Sequence, residues 1–102
     1  MKTSTLSAAV EIIRERYPYL SKEYGIKKIG IFGSIARNAD RTDSDIDLVI
    51  EFTGPIGLKF IELTEYFERL FDRKVDILTP DGIENIRNTK IADDIKRSIV
   101  YV

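Results

Sequence analysis

Gly33-Ser34, then ten residues, then Asp45-Ile46-Asp47 are the positions in this chain best suited to do chemistry. A Gly-Ser pair at a strand-to-helix turn offers backbone amides and a hydroxyl to phosphate oxygens. Two carboxylates two residues apart on a strand point the same way and can hold a divalent cation. Arg37, one turn beyond the pair, adds a cation able to neutralise phosphate charge. A third acid, Asp76, sits in the alternating stretch Lys74-Val75-Asp76-Ile77-Leu78-Thr79.

Each of these residues has a plainer meaning when taken singly. Ser34 reads as a helix N-cap, Asp45 and Asp47 as solvated or turn-forming acids, and Arg37 as half of a surface ion pair. The set reads differently. Like charges brought close on strand faces repel, and Asp is a poor strand former. One or two divalent cations would offset that repulsion, with Asp45 and Asp47 supplying oxygens and Asp76 joining from a neighbouring strand. Two metals about 3.5–4 Å apart stabilise both the attacking and the leaving oxygen of an in-line displacement. Asp76 is also the carboxylate placed to accept the proton of an incoming hydroxyl.

Composition narrows the chemistry further. The chain has no Cys and no His, which removes thiolate nucleophiles, sulfur-bound zinc and Ser-His-Asp triads. Oxygen-only ligands favour a hard cation such as Mg²⁺. With 16 basic and 17 acidic residues the net charge is −1, so no direct nucleic-acid footprint is expected. No apolar run reaches the ~20 residues of a membrane helix, and the N-terminus lacks the apolar core of a signal peptide. The absence of Cys fits a reducing cytoplasm.

The elements that must position these residues follow from the apolar periodicity. Leu6, Ala9, Val10, Ile13 and Tyr17 predict an amphipathic helix that stops before Pro18, with Thr3, Ser4 or Thr5 as its cap. Pro18 to Tyr24 predicts a second short helix closed by Gly25. Strands follow at Ile26–Phe32 and Asp45–Phe52, with one helical turn at Ser34–Arg37 and a polar loop from Asn38 to Ser44 between them. A helix from about Leu58 to Asp72 leads to a third strand, Lys74–Thr79, ended by Pro80, Asp81 and Gly82. The remaining tail reads as helical, with Ile99–Val102 able to form a short strand. The expected fold class is α/β (α+β), one domain over residues 1–102. A small mixed sheet carries its helices on one face, and Asp45, Asp47 and Asp76 gather on the other.

The spaced Gly33-Ser34, Asp45-x-Asp47 and the later Asp76 in Lys-Val-Asp-Ile-Leu-Thr resemble the minimal nucleotidyltransferases of the DNA polymerase beta-like superfamily, over nearly the whole chain. The resemblance implies that superfamily's fold and a Mg²⁺-dependent nucleotidyltransferase using ATP, with two ions. Asp45, Asp47 and Asp76 would be its metal and catalytic residues, and Gly33, Ser34 and Arg37 would bind the nucleotide. Stand-alone domains of this kind are often antitoxins that transfer AMP to a tyrosine of a HEPN-domain toxin. A cytoplasmic protein adenylyltransferase in a hetero-oligomer with its toxin is therefore implied. Two alternatives remain: a non-catalytic antitoxin that works by binding, and transfer to a small-molecule acceptor. Larger nucleotidyltransferases grip the acceptor with further domains, so 102 residues lead us to expect the acceptor surface on a partner.

Overall fold

The computed structural model describes residues 3, 5–37 and 45–102. The expected loop at 38–44 and the possible cap at Ser4 lie outside the described residues.

Helix α1 runs unbroken over Leu6–Tyr24. The Thr5 hydroxyl caps it by accepting from the Ala8 N–H at 3.1 Å. Gly25, at φ +65°, closes it in the left-handed conformation, where glycine has no Cβ to clash. The expected break at Pro18 is absent: Pro18 lies inside the helix. Ala9, Ile13, Leu20 and Tyr24 are buried along one stripe that continues on the C-terminal side of the proline. Burying large apolar side chains beyond it contributes about 1.5–3 kcal/mol each. That offsets the roughly 3 kcal/mol cost of an internal proline.

Strands β1 (Ile26–Phe32), β2 (Ile46–Phe52), β3 (Val75–Leu78) and β4 (Val100–Tyr101) form one mixed sheet in the order β3-β2-β1-β4. β1 pairs antiparallel with both β2 and β4, whereas β2 and β3 are parallel. A parallel pair needs a long crossover, and helix α3 (Lys59–Phe71) lies within it. The four-residue helix α2 (Gly33–Ala36) follows β1 directly.

Strand alternation divides the core as the sequence leads one to expect. Ile29, Ile31, Ile46, Leu48 and Ile50 face α1 and α3, where Ile13, Leu20, Leu63, Phe67 and Phe71 are fully buried. The opposite face holds a smaller cluster of Phe32, Val49, Ile83 and Ala92. Its helical members come from α4 (Pro80–Glu84) and α5 (Thr89–Ser98). Residues 80–82, expected as a strand-ending turn, open α4 instead, because the Thr79 hydroxyl accepts from the Gly82 N–H at 3.1 Å. The long helices thus cover one face as expected, and two short ones cover part of the other. Asp45 and Asp47 remain half-buried and Asp76 exposed. Among the described residues no helix is long and apolar enough to cross a membrane.

Pro18 is exposed and packs no core of its own. Pro18→Ala restores a helical N–H and is expected to stabilise the fold by about 1–2 kcal/mol, after allowing for the proline's stiffening of the unfolded chain. A thermal melt at neutral pH checks this; an unchanged or lower midpoint would contradict the view that α1 tolerates Pro18 at a cost.

Candidate active site

The site is assembled by strand register. β1 pairs Phe32 with Asp47, and the parallel β2–β3 ladder pairs Asp47 with Asp76. The end of β1 and the two aspartates therefore form one row across three strands. Beyond Phe32 the chain turns through Gly33 at φ +78°, a left-handed conformation that L side chains rarely adopt. A Cβ at this position would collide with Asp47 Oδ2. The backbone of the Gly-Ser turn therefore rests directly against one of the site's carboxylates.

Ser34 is half-buried in the second position of α2. The helix N-cap is Phe32, which makes no side-chain capping bond. Helix capping therefore does not explain Ser34. Arg37 follows α2 and is exposed, with its N–H bonded to the carbonyls of Gly33 and Ser34 at 3.3 and 3.2 Å.

The electrostatics show that these groups feel one another. Burial pushes the Asp47 carboxyl up to about 6, the charges of Asp76 and Asp45 push in the same direction, and Arg37 partly opposes them. Asp76 also rises above the usual carboxylate range. Partial loss of water comes first among the causes, followed by a hydrogen bond to Asp45, the charges of Asp45 and Glu68, and an opposing Lys74. Raised carboxyls in a mutually repelling group are a recurring mark of functional sites.

Glu68 and Lys74 were not among the residues singled out from the sequence. Glu68 lies on α3, and its Oε2 accepts from the Val75 N–H at 3.2 Å, at the start of β3. No spacing rule links it to Asp76, because the packing of α3 beside β3 brings them together.

The structure thus gathers five of the six expected residues by direct contact, register or mutual charge: Gly33, Asp45, Asp47, Asp76 and Arg37. Ser34 joins them through its place in the same turn. Among the described residues, however, no group of three or more acidic side chains forms a ready-made metal cage. The donor set itself suits a hard cation: its members are oxygen-only, and they are raised first by burial and then by neighbouring negative charges that a positive ion would offset.

Residues 6–102 match the nucleotidyltransferase domain family. The chain belongs to that family. The protein adenylyltransferase MntA of Thermococcus cleftensis is 35% identical over 103 residues, an alignment covering 100% of both chains. A Methanocaldococcus jannaschii protein designated a candidate protein adenylyltransferase is 39% identical over 99 residues, covering 96% of this chain and 98% of that one. A solved structure of a candidate minimal nucleotidyltransferase matches with a TM-score of 0.66 at 27% identity, covering 90% of this chain and 91% of that one. A toxin–antitoxin structure with AMP-PNP contains a chain of the same fold, with a TM-score of 0.60 at 17% identity, covering 91% of this chain and 68% of that one. The minimal nucleotidyltransferase fold expected from the motifs is the fold observed.

Two outcomes follow from the site's geometry. Gly33→Ala forces a left-handed Ala against the Asp47 carboxylate and is expected to destabilise by on the order of 1–3 kcal/mol. Asp47→Asn should act in the opposite direction. Its folded-state value of about 6 lies above the ordinary aspartate value of 3.8, so the proton is held more tightly in the fold. The ionised carboxylate therefore costs stability, fully above pH 6 and not at all below about pH 4. Half exposure screens that cost to on the order of 1 kcal/mol, or roughly 4–8 °C in a domain of this size. In chelator at pH 7.5 the Asn variant should melt above the parent, and the gap should close as the pH falls to 4. A gap that does not change with pH would show that Asp47 is not destabilised by its neighbours.

Proposed function

We propose that this protein is a Mg²⁺-dependent adenylyltransferase that moves AMP from ATP to a tyrosine hydroxyl of a partner protein, and that it acts in the cytoplasm as the antitoxin of a HEPN-domain toxin. The contact of the Gly33 backbone with the Asp47 carboxylate carries the reading, because it sets a phosphate-holding turn against the carboxylates that would serve the reacting phosphorus. Family membership supports nucleotidyl transfer, and the full-length match to a protein named protein adenylyltransferase MntA supports a protein acceptor. The fold shared with chains of solved toxin–antitoxin complexes supports the antitoxin role.

In this reading the amides after Gly33 and the Ser34 hydroxyl hold the terminal phosphates of ATP, and Arg37 offsets their charge. Asp45, Asp47 and Asp76 would hold the Mg²⁺ ions, which when bound supply charge neutralisation at the phosphates. The tyrosine oxygen attacks the α-phosphorus as the bond from that phosphorus to the bridging oxygen breaks. Pyrophosphate leaves, and AMP remains esterified to the tyrosine. Asp76, exposed at the strand edge and raised above the usual carboxylate range, takes the hydroxyl proton. Glu68 holds the start of β3 through Val75 and so positions Asp76.

The test is incubation with ATP labelled on the α-phosphate, together with a HEPN-domain toxin as acceptor, followed by intact mass. Label should appear on the toxin, with a mass gain of whole AMP units. Asp45→Asn or Asp47→Asn should reduce transfer at least about a hundredfold, a loss of the size seen when a group that stabilises transition-state charge is removed. Toxin neutralised equally well by both variants, without added mass, would instead establish a binding antitoxin. Label on a small acceptor but never on protein would establish small-molecule transfer.

A further inference from the structure

In the order β3-β2-β1-β4, β3 has β2 on one side and, among the described residues, no strand on the other. The bonds to β2 show which of its backbone groups face that outer side. Ile46 pairs with Val75 and donates its N–H to the Lys74 carbonyl at 2.9 Å. In a parallel ladder the bonds to β2 then come from Lys74, Asp76 and Leu78, and the N–H and carbonyl groups of Val75 and Ile77 point outward.

The two outward amides differ. The Val75 N–H is taken by Glu68 Oε2 at 3.2 Å. Among the described residues nothing accepts from the Ile77 N–H or donates to its carbonyl. Unpaired groups on an edge strand are a template for another chain. Glu68 closes that template at its first position, so Ile77 is left as the anchor. A surface hollow of about 390 Å³ lies at the start of the strand, lined by Glu68, Asp72, Arg73 and Lys74, and gives an added chain room to pass.

Register says what such a chain would present. The row Phe32, Asp47, Asp76 crosses three strands and ends at this edge, with Asp76 exposed. A chain bonded to Ile77 sets its next residue beside Asp76 on the acid face, with Cβ atoms about 4.5–5.5 Å apart. A tyrosine there stands up from the sheet, its hydroxyl beyond the Asp76 carboxyl, on the side where a phosphate held over the acids would lie. A second copy of this chain fits poorly, because pairing two β3 edges brings Asp76 and Glu68 of each against like charges. The same two acids favour basic residues next to the tyrosine.

We propose that the outer edge of β3 is the docking site for the acceptor protein: an extended segment with a tyrosine and basic neighbours adds as a further strand, exchanging hydrogen bonds with Ile77. The proposal rests on the reading that AMP is moved to a partner's tyrosine, and it adds how that tyrosine is brought to Asp76.

Amide-resolved hydrogen exchange on the intact protein, with a HEPN-domain toxin and a non-hydrolysable ATP analogue, tests it on the unaltered chain. Exchange at Ile77 should slow about tenfold or more in the complex, and Val75, already bonded, should change less. Steady-state AMP transfer to the same toxin gives a second measure. Ile77→Pro removes the outward N–H without removing a bond to β2, at an edge position where proline is tolerated, and Ile77→Ala controls for the lost side chain. The proline variant should show a KM for toxin about fivefold or more above that of the alanine variant, with KM for ATP within twofold. Equal KM values for toxin would overturn the docking site. Where a melt shows that the proline variant does not fold, exchange decides. An unprotected Ile77 in a complex that forms overturns docking at this edge and leaves AMP transfer standing. Protection of Ile77 by self-association without toxin would put a second copy there and overturn it too. If the parent neither binds nor labels the toxin, the transfer reading falls and the docking site falls with it.

Discussion

The close approach of the Gly33 backbone to the Asp47 carboxylate is the constraint on which the rest of this molecule depends. It requires a residue without a Cβ, in a left-handed conformation, at the last step out of β1. It also requires β1 and β2 to pair in the one register that sets Phe32 opposite Asp47. A slip by one residue would turn the Ile46, Leu48 and Ile50 set away from the core and carry Asp47 into it. Core packing and site assembly therefore reinforce the same register. The fully buried isoleucines of β1 and β2 hold the acids in place on the opposite face.

The same arrangement concentrates an electrostatic cost. Asp47 and Asp76 are neighbours across a parallel ladder, the charge of Asp45 bears on both, and Glu68 adds a further negative charge from α3. Folding on the α1–α3 side meets that cost through Phe67, Phe71, Leu63 and the strand isoleucines, all fully buried. The division of labour is physical. One sheet face is apolar, continuous and covered by long helices. The other is half-covered by α4 and α5 and left open where the acids lie. α5 is buried against the sheet at Ala92, and its Ile91, Asp94 and Ile95 line a space shared with Gly33 and Arg37.

Much of this was legible in the chain, and the legible parts share a reason. β1 over Ile26–Phe32 and the alternation of Ile46, Leu48 and Ile50 are local patterns with a period of two, and the strands follow them. The Gly-Ser turn and the Asp-x-Asp pair carry their chemistry in their own spacing. Pro18 was misleading because a local rule, that proline ends a helix, was outweighed by Leu20 and Tyr24, whose burial needs α1 to continue. Residues 80–82 were misleading in a related way. Thr-Pro-Asp-Gly reads as a turn, but the Thr79 cap on the Gly82 N–H converts it into the first turn of α4.

The sequence by itself determined the chemistry on offer: carboxylates without His or Cys, a Gly-Ser turn and a separate aspartate on a later strand. It also determined which faces of the strands would be apolar, because strand alternation is written residue by residue. Only the tertiary structure decided that Asp76 lies in register with Asp47, that Glu68 holds the start of Asp76's strand, and that α5 closes a cleft beside Gly33. These are contacts between segments far apart in the chain. Strand order, crossover and helix packing set them, and no local spacing encodes any of the three.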